Sequence, residues 1–396
     1  MNMRPSPSTL SRYMNETALG NLSTSESPKA HFVEADLHDV LPKISIIEKD
    51  LYSFFKKFSH DTQKIRLFSN RTEVSDDVSS FLGNYDSLLQ LSRDLKLTLY
   101  LTDLHQHVAY LGEFAAMMGN SLDADITISA FVSPEDSAYT PVHYDYHDVF
   151  AYQIAGEKHW KCFDYSGKPS ASLNGYQIDE ALIGEEHLKG LVAPGHGVFI
   201  PTGVPHQAYT QSASSIHFSI GIRRNRSEEM GAALFSSTWR RVLSENKTRK
   251  LSPFSMTRLV AESLAHDVSE SDLELLHNKW KIAKSSRYKR VHSTYNPDTN
   301  ARFQLTPGSL YFCEETTEHL IVSFPVEFKQ GVEIDIGSFS PGKLQLPKGA
   351  VALFDLLQKS PDGFSFSQVA DLYGEATSHT VLAILIQHAI IRQFND

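Results

Sequence analysis

Cysteine is nearly absent from this chain. Cys162 and Cys313 are the only two in 396 residues, and they stand far apart, so neither a disulfide framework nor a cysteine-rich zinc site is available. Any metal must be held by histidine and carboxylate. Long apolar runs are missing as well. No stretch approaches the roughly eighteen consecutive apolar residues of a membrane span, and Met1 to Pro28 is polar, without the apolar centre of a signal peptide. A cytoplasmic protein with no membrane partner is the expectation. Positive charge is also in deficit, with 37 Lys and Arg against 47 Asp and Glu and a net charge of -10, which argues against a protein that coats nucleic acid. What is present is the composition of a folded chain, 41% hydrophobic and 21% charged, at a length that exceeds one ordinary core.

The chain divides by texture. Residues 1–37 are rich in Ser, Asn, Thr and Pro and read as a flexible N-terminal tail. Helical patches follow, with Ile44, Ile47, Leu51, Phe54 and Phe55 in one and Leu88, Leu89, Leu91 and Leu95 in another. From Ile126 the pattern changes to short apolar or alternating runs divided by turn residues, which predicts a mainly β domain of sandwich or barrel type over residues 38–223. Helical periodicity returns over residues 224–300, where basic residues outnumber acidic ones and Phe235, Trp239, Leu276 and Trp280 suggest an apolar face for a homodimer. Residues 301–396 combine two strand-like runs with three helices, the last at Thr380 to Gln393, an order that resembles a winged helix. That last run is apolar on almost every side, and residues 341–396 carry 4 basic and 5 acidic side chains, so DNA binding is not expected there.

The chemistry concentrates in Thr140 to Phe163, TPVHYDYHDVFAYQIAGEKHWKCF, and in Pro194 to His206, PGHGVFIPTGVPH. His143 and Asp145 are two apart, so on an extended strand both face the same side. His206 ends a buried-looking run and its turn, from which its imidazole can return to the same cavity. Two His and one carboxylate on one face of an ion leave three positions open, as non-haem Fe(II) oxygenases require. An HxD pair alone is weak, since chance supplies about one in a chain this rich in His, and solvated strand residues satisfy it. Lys158, inside the same apolar run, has solvent exposure as its ordinary reading; pointing inward, it could pair with a carboxylate.

These two segments resemble the JmjC-type cupin oxygenases that use Fe(II) and 2-oxoglutarate, and within them most nearly the ribosomal oxygenases and the related asparaginyl hydroxylase of the hypoxia response. Thr140, three before His143, and Lys158, fifteen after it, match in position. The resemblance implies a double-stranded β-helix with flanking helices, a helical section used for dimerisation, and a small C-terminal winged-helix-like domain. It implies Fe(II) on His143, Asp145 and His206, O2 as oxidant, and 2-oxoglutarate held by Lys158 and Thr140 with help from a late-strand residue, either Ser219 or His217, of which Ser219 is favoured. His147, on the face of the metal pair, is expected to support the site or face the substrate. The implied activity is hydroxylation of a protein or peptide side chain; the resemblance to ribosomal oxygenases suggests a ribosomal protein as target, and the acidic balance outside the helical section would suit such basic partners. Hydroxylation of a small molecule or peptide natural product, N-methyl-lysine demethylation, and a metal cupin that does not use 2-oxoglutarate are the alternatives.

Overall fold

The computed structural model describes residues 29–394 except 36, 38–40, 59–60, 62, 70–71, 74–89, 91, 138–140, 168–177, 225–226, 247–251, 289–293, 299, 307–308, 327–339 and 361. The chain forms two compact units, which divide after Arg224.

In the first unit the strands are β1 (His31–Glu34), β2 (Ile65–Ser69), β3 (Thr72–Glu73), β4 (Leu97–Leu101), β5 (Ala124–Ser133), β6 (Asp148–Gly156), β7 (Lys158–Tyr165), β8 (Ile183–Val192), β9 (His196–Ile200), β10 (His206–Tyr209) and β11 (Ser215–Arg224). Two helices accompany them, α1 (Ile44–Phe58) and α2 (Ala109–Leu122). One sheet has the order β1-β9-β6-β11-β5-β4-β2-β3 and the other β10-β7-β8. Every pairing is antiparallel, and strands distant in sequence neighbour one another, as in a jelly roll. Strand His31–Glu34 pairs with β9, so the tail expected over residues 1–37 ends earlier. The ladder bonds to His196 through Phe199 are what hold this segment down. Of the second helical patch, Leu88, Leu89 and Leu91 lie outside the described residues.

The centre of the large sheet is buried on both faces, for two different reasons. Along β11, Phe218, Ile220 and Ile222 are at most 1% exposed, and along β5 so are Ile126, Ile128 and Ala130; α2 packs on β5. The alternate residues, Ser215, His217, Ser219 and Gly221 on β11 facing Ser133, Phe131, Ser129 and Thr127 on β5, point the other way, into the space between the sheets. This second set is polar where a plain sandwich would be apolar, so the interior is built to receive something other than hydrocarbon.

The corner between the sheets is one residue wide. β6 ends at Gly156 in the large sheet, and β7 starts at Lys158 in the small one. Gly156 has φ +63° and lies so close to the Ser214 backbone that an added Cβ would come within 1.8 Å of its carbonyl oxygen. Only glycine satisfies both demands.

The second unit contains α3 (Ser227–Glu245), α4 (Pro253–His266) and α5 (Glu270–Ser285), then β12 (Arg302–Leu305), β13 (Phe312–Glu315), β14 (His319–Phe324) and β15 (Gly342–Pro347). It ends with α6 (Val351–Lys359), β16 (Phe364–Ser365), α7 (Phe366–Tyr373), α8 (Glu375–Gln387) and β17 (Ile391–Phe394). Small sheets β16-β12-β17 and β13-β14-β15 enclose a core around Phe303, Leu353, Phe354 and Leu385. Two expectations are corrected here. The helix expected over Thr380 to Gln393 stops at Gln387, because Ala389 turns the chain at φ +52° and Ile391–Phe394 pairs with β12 instead. Leu276 and Trp280, expected on an outer face, are 7% and 2% exposed and pack with Ala233, Ile282 and Leu310.

The narrow corner yields a stability prediction. Gly156→Ala should cost about 1–3 kcal/mol, from strained backbone and the Ser214 clash, read as a lower denaturant midpoint with an unchanged m-value.

Candidate metal centre

His143 and His206 come from distant parts of the chain and meet as a backbone pair. The His143 amide donates to the His206 carbonyl at 3.1 Å and the His206 amide to the His143 carbonyl at 2.7 Å, an isolated antiparallel bridge. Directly opposed residues in such a bridge share a face, which sets the two rings side by side, 4.4 Å between centroids. Each ring is oriented by the same device: Nδ1 of His143 lies 3.0 Å from the Pro141 carbonyl and Nδ1 of His206 lies 3.0 Å from the Val204 carbonyl. With Nδ1–H donating to a carbonyl, each Nε2 is left with its lone pair for a metal.

Asp145 completes the group. Its Oδ2 is 3.5 Å from Nε2 of His206, and one ligand atom from each of His143, Asp145 and His206 fits within 4.8 Å of the others. Burial raises the Asp145 pKa, but electrostatic interaction with His143, His206, His147 and Arg223 outweighs it and holds the carboxyl below its ordinary value. His206 is pushed down to about 4, by burial first and then by His143, so at neutral pH its ring is unprotonated and free to act as a ligand. Asp148 fixes the turn that delivers His206. Its carboxylate, 4% exposed, accepts from the Thr202 amide and hydroxyl at 2.8 Å and from Arg224 Nε at 3.0 Å, while the Gly203 amide donates to the Asp145 carbonyl at 2.9 Å.

Lys158 points inward. It is 1% exposed, and Nζ donates to the Ser133 hydroxyl at 2.8 Å and sits 5.8 Å from the Phe131 ring centroid. Ser133 also accepts from Thr98 at 3.1 Å, and Thr98 is 3.0 Å from the Ser137 hydroxyl, so a buried hydroxyl chain backs the ammonium. Burial alone drives the Lys158 pKa down from 10.5 to about 7, with no carboxylate among the described residues acting against it.

Trp160, 5% exposed, connects the two ends, its ring 6.2 Å from His206 and 5.6 Å from His217. The sheet registers then order the interior. His217 lies beside Phe131, in the row that Lys158 reaches; Ser219 lies one row further, beside Ser129; Gly221 lies beyond that, beside Thr127. An added Cβ at Gly221 would come within 2.8 Å of the His147 ring, which places His147 over the far row. Of the expected site residues, the structure brings together His143, Asp145 and His206, and puts Lys158 at the other end of the same interior. Ser219 is half-buried between them, two residues from the row of Lys158. Thr140 lies outside the described residues. His159 stacks on Tyr209 and His196 is exposed, neither joining the group. Sequence reasoning missed Ser133, Gln153 and Asp148. Ser133 and Gln153 have a period-two signal, polar residues on the inward face of β5 and β6, but nothing in the sequence says which face is inward.

Comparison with known proteins agrees with this geometry. Residues 103–230 match the JmjC domain family. Ribosomal oxygenase 2 of Mus musculus is 30% identical over 154 residues, 35% of this chain and 30% of that protein. The bifunctional lysine-specific demethylase and histidyl-hydroxylase NO66 of Drosophila yakuba is 26% identical over 133 residues, 33% of this chain and 18% of that protein. The matched stretch thus spans less than a third of either relative. Among solved structures, the Escherichia coli ribosomal oxygenase YcfD in complex with cobalt and 2-oxoglutarate superposes with a TM-score of 0.56 at 14% identity, covering 97% of this chain and 100% of that one. That likeness is one of fold.

The buried ammonium makes stability depend on pH in a definite direction. With Lys158 at about 7 when folded and near 10.5 when unfolded, the unfolded chain binds more protons between those values, so this contribution to stability rises as pH rises from 7 towards 10 and is lost below. Lys158→Met should remove it: unfolding free energies of the ligand-free protein and the variant, measured from pH 6 to 10, should differ most at the low end and converge at the high end.

Proposed function

With residues 103–230 as a JmjC domain, we propose that this protein is an Fe(II)- and 2-oxoglutarate-dependent oxygenase that hydroxylates a side chain of a protein or peptide. The observation that carries the reading is the position of Lys158: a fully buried ammonium without a counter-charge among the described residues, facing the same interior as a His-Asp-His group. Burying a cation is costly unless an anion meets it. A dicarboxylate that chelates a metal with one end and meets Lys158 with the other satisfies both ends at once.

The donor set suits the metal. His143, Asp145 and His206 would hold an Fe(II) ion through two imidazoles and one carboxylate, a donor set that would leave room for 2-oxoglutarate and O2. Bound Fe(II), with 2-oxoglutarate and O2, supplies the oxidising power for inserting one oxygen atom into a C–H bond, with succinate and CO2 as co-products. The protein's own part is placement. His143 and His206 present their Nε2 atoms, Asp148 fixes the turn before His206, and Lys158 with Ser133 receives the far carboxylate. Ser219 lines the middle of the interior, Trp160 keeps water from it, and Thr140 remains, on the family resemblance, a second donor to the far carboxylate.

A ribosomal protein is the proposed substrate. Three considerations support it: a relative named a ribosomal oxygenase, a solved structure with the same name and fold, and an excess of acidic over basic residues that favours encounter with basic proteins. A second reading, N-methyl-lysine demethylation, draws on the NO66 relative, whose name carries both activities; hydroxylating an N-methyl carbon gives an unstable product that loses formaldehyde. The C-terminal strands and helices from Arg302 onward we read as a winged-helix-like interaction module. Helices α3 to α5 leave Phe235, Leu243, Phe254, Leu273 and Leu275 exposed, and we assign this surface to a homodimer.

Purified protein given Fe(II), ascorbate and 2-oxoglutarate should form succinate, with His143→Ala reduced to background and Lys158→Ala losing 2-oxoglutarate affinity while it still binds metal. Equal succinate from wild type and His143→Ala sinks the assignment. Addition of one oxygen to a ribosomal protein, seen by mass spectrometry and absent with His206→Ala, tests the substrate. Light scattering should report twice the chain mass of 44.4 kDa; a concentration-independent monomer refutes the dimer.

A further inference from the structure

The Lys158 end of the interior holds more polar capacity than one ammonium and one hydroxyl. His217 is 3% exposed and pairs with Phe131, over whose ring Lys158 Nζ lies, while Ser133 pairs with Ser215 in the next row. Its ring lies flat on Phe131, with centroids 4.9 Å apart and planes 3° from parallel, and meets Trp160 edge-on at 5.6 Å. Two aromatic contacts fix the ring, yet its buried Nδ1 has no hydrogen-bond partner. The paired residue on β6 is Gln153, 1% exposed. Its amide nitrogen donates to the Ala155 carbonyl at 2.8 Å and the Ser215 hydroxyl at 2.9 Å, and its Oε1 is likewise buried without a partner.

Native interiors rarely leave such atoms unpaired, because each costs the desolvation of its polar group. The imidazole is the one of the two that can offer a proton, and beside an ammonium with no anion among the described residues it marks an end wall that is incomplete without a ligand. The ring's charge state agrees. Burial first, and then the charge of Lys158, drive the His217 pKa well below 6.5, so the ring is neutral and carries one N–H. A neutral donor next to an ammonium suits a carboxylate, since it adds a hydrogen bond without a second buried charge.

We infer that His217 is a second anchoring residue for the far carboxylate of the dicarboxylate cosubstrate, its ring N–H meeting one carboxylate oxygen while Lys158 meets the other. The inference deepens the 2-oxoglutarate reading and rests on it. It assigns the late-strand role to His217 and leaves Ser219, one row away, to the middle of the interior. Phe131 becomes a positioning residue: its ring is the surface against which both the ammonium and the imidazole are set.

The alternative occupation of the His217 N–H is structural, a hydrogen bond to Oε1 of its paired residue Gln153. The two roles separate by ligand. Calorimetric titration of Mn(II)-loaded protein with 2-oxoglutarate and with 2-oxopentanoate, which has the same chain length and no far carboxylate, provides a readout that needs no turnover. His217→Phe should raise the Kd of 2-oxoglutarate about ten-fold or more and leave that of 2-oxopentanoate nearly unchanged, and His217→Asn, which keeps a donor, should recover most of the loss. An unchanged 2-oxoglutarate Kd in His217→Phe overturns the inference. So does an equal weakening of both ligands with a lowered Tm, which marks the ring as a packing partner of Gln153. If wild type itself fails to bind 2-oxoglutarate while binding Mn(II), the cosubstrate reading falls, and the anchoring role with it.

Discussion

A lysine ammonium sealed in a protein interior imposes more on its surroundings than any apolar residue does. Lys158 has lost nearly all contact with water, and one serine hydroxyl is a poor replacement for a hydration shell. The interior is arranged around that deficit. Hydroxyls of Ser133, Thr98 and Ser137 form a chain behind it, Phe131 offers its ring face, and His217 gives up its own charge to the same burial. None of these responses supplies a counter-charge, so the buried ammonium lowers the stability of the ligand-free protein.

The division of labour follows from the topology. The small sheet and the segment bridged to it carry the ionic groups: Lys158 on β7, His206 on β10, and His143 bonded to His206. The large sheet supplies neutral polar side chains from alternate positions of β5, β6 and β11. The sheets meet at Gly156, where Glu157 alone intervenes before Lys158. A corner with one allowed backbone shape sets where the Lys158 side chain starts, and the antiparallel register of His159 to Cys162 opposite Tyr209 to His206 then fixes its offset from the His143-Asp145-His206 group. The separation of Lys158 from the His143-Asp145-His206 group is therefore written in strand register, which is stiffer than any loop.

Much of this was legible in the residues, and the reason differs from place to place. The His143-Asp145 pair was readable because period-two geometry is local and needs no knowledge of the fold. His206 and Lys158 were readable only with the family pattern beside them, since their closeness to that pair depends on pairing across more than sixty positions of sequence. The late-strand residue was left between Ser219 and His217 because both lie on one face of β11; only the pairing with β5 sets His217 beside Phe131, the ring that Lys158 also reaches. The end of the last helix was misread because Thr380 to Gln393 is apolar throughout, and an apolar run cannot distinguish a buried helix from a helix, a turn at Ala389 and a buried strand. Leu276 and Trp280 looked like an interface because an apolar stripe reports that a helix face is covered and is silent about what covers it.

Gly221 shows how a residue without a side chain can carry site information. In the run SSIHFSIGI it reads as a weak spot in an apolar strand, since glycine neither packs nor favours extended backbone. Its neighbours explain it: Thr127 Oγ1 and the His147 ring would each lie under 3 Å from an added Cβ. The missing side chain is the space in which His147 lies. His147 also lies close enough to the candidate ligand Asp145 to help hold its carboxyl below the ordinary value. Replacing Gly221 by any larger residue would therefore act on the metal end of the interior through His147, and the glycine is best understood as part of the site's polar wall.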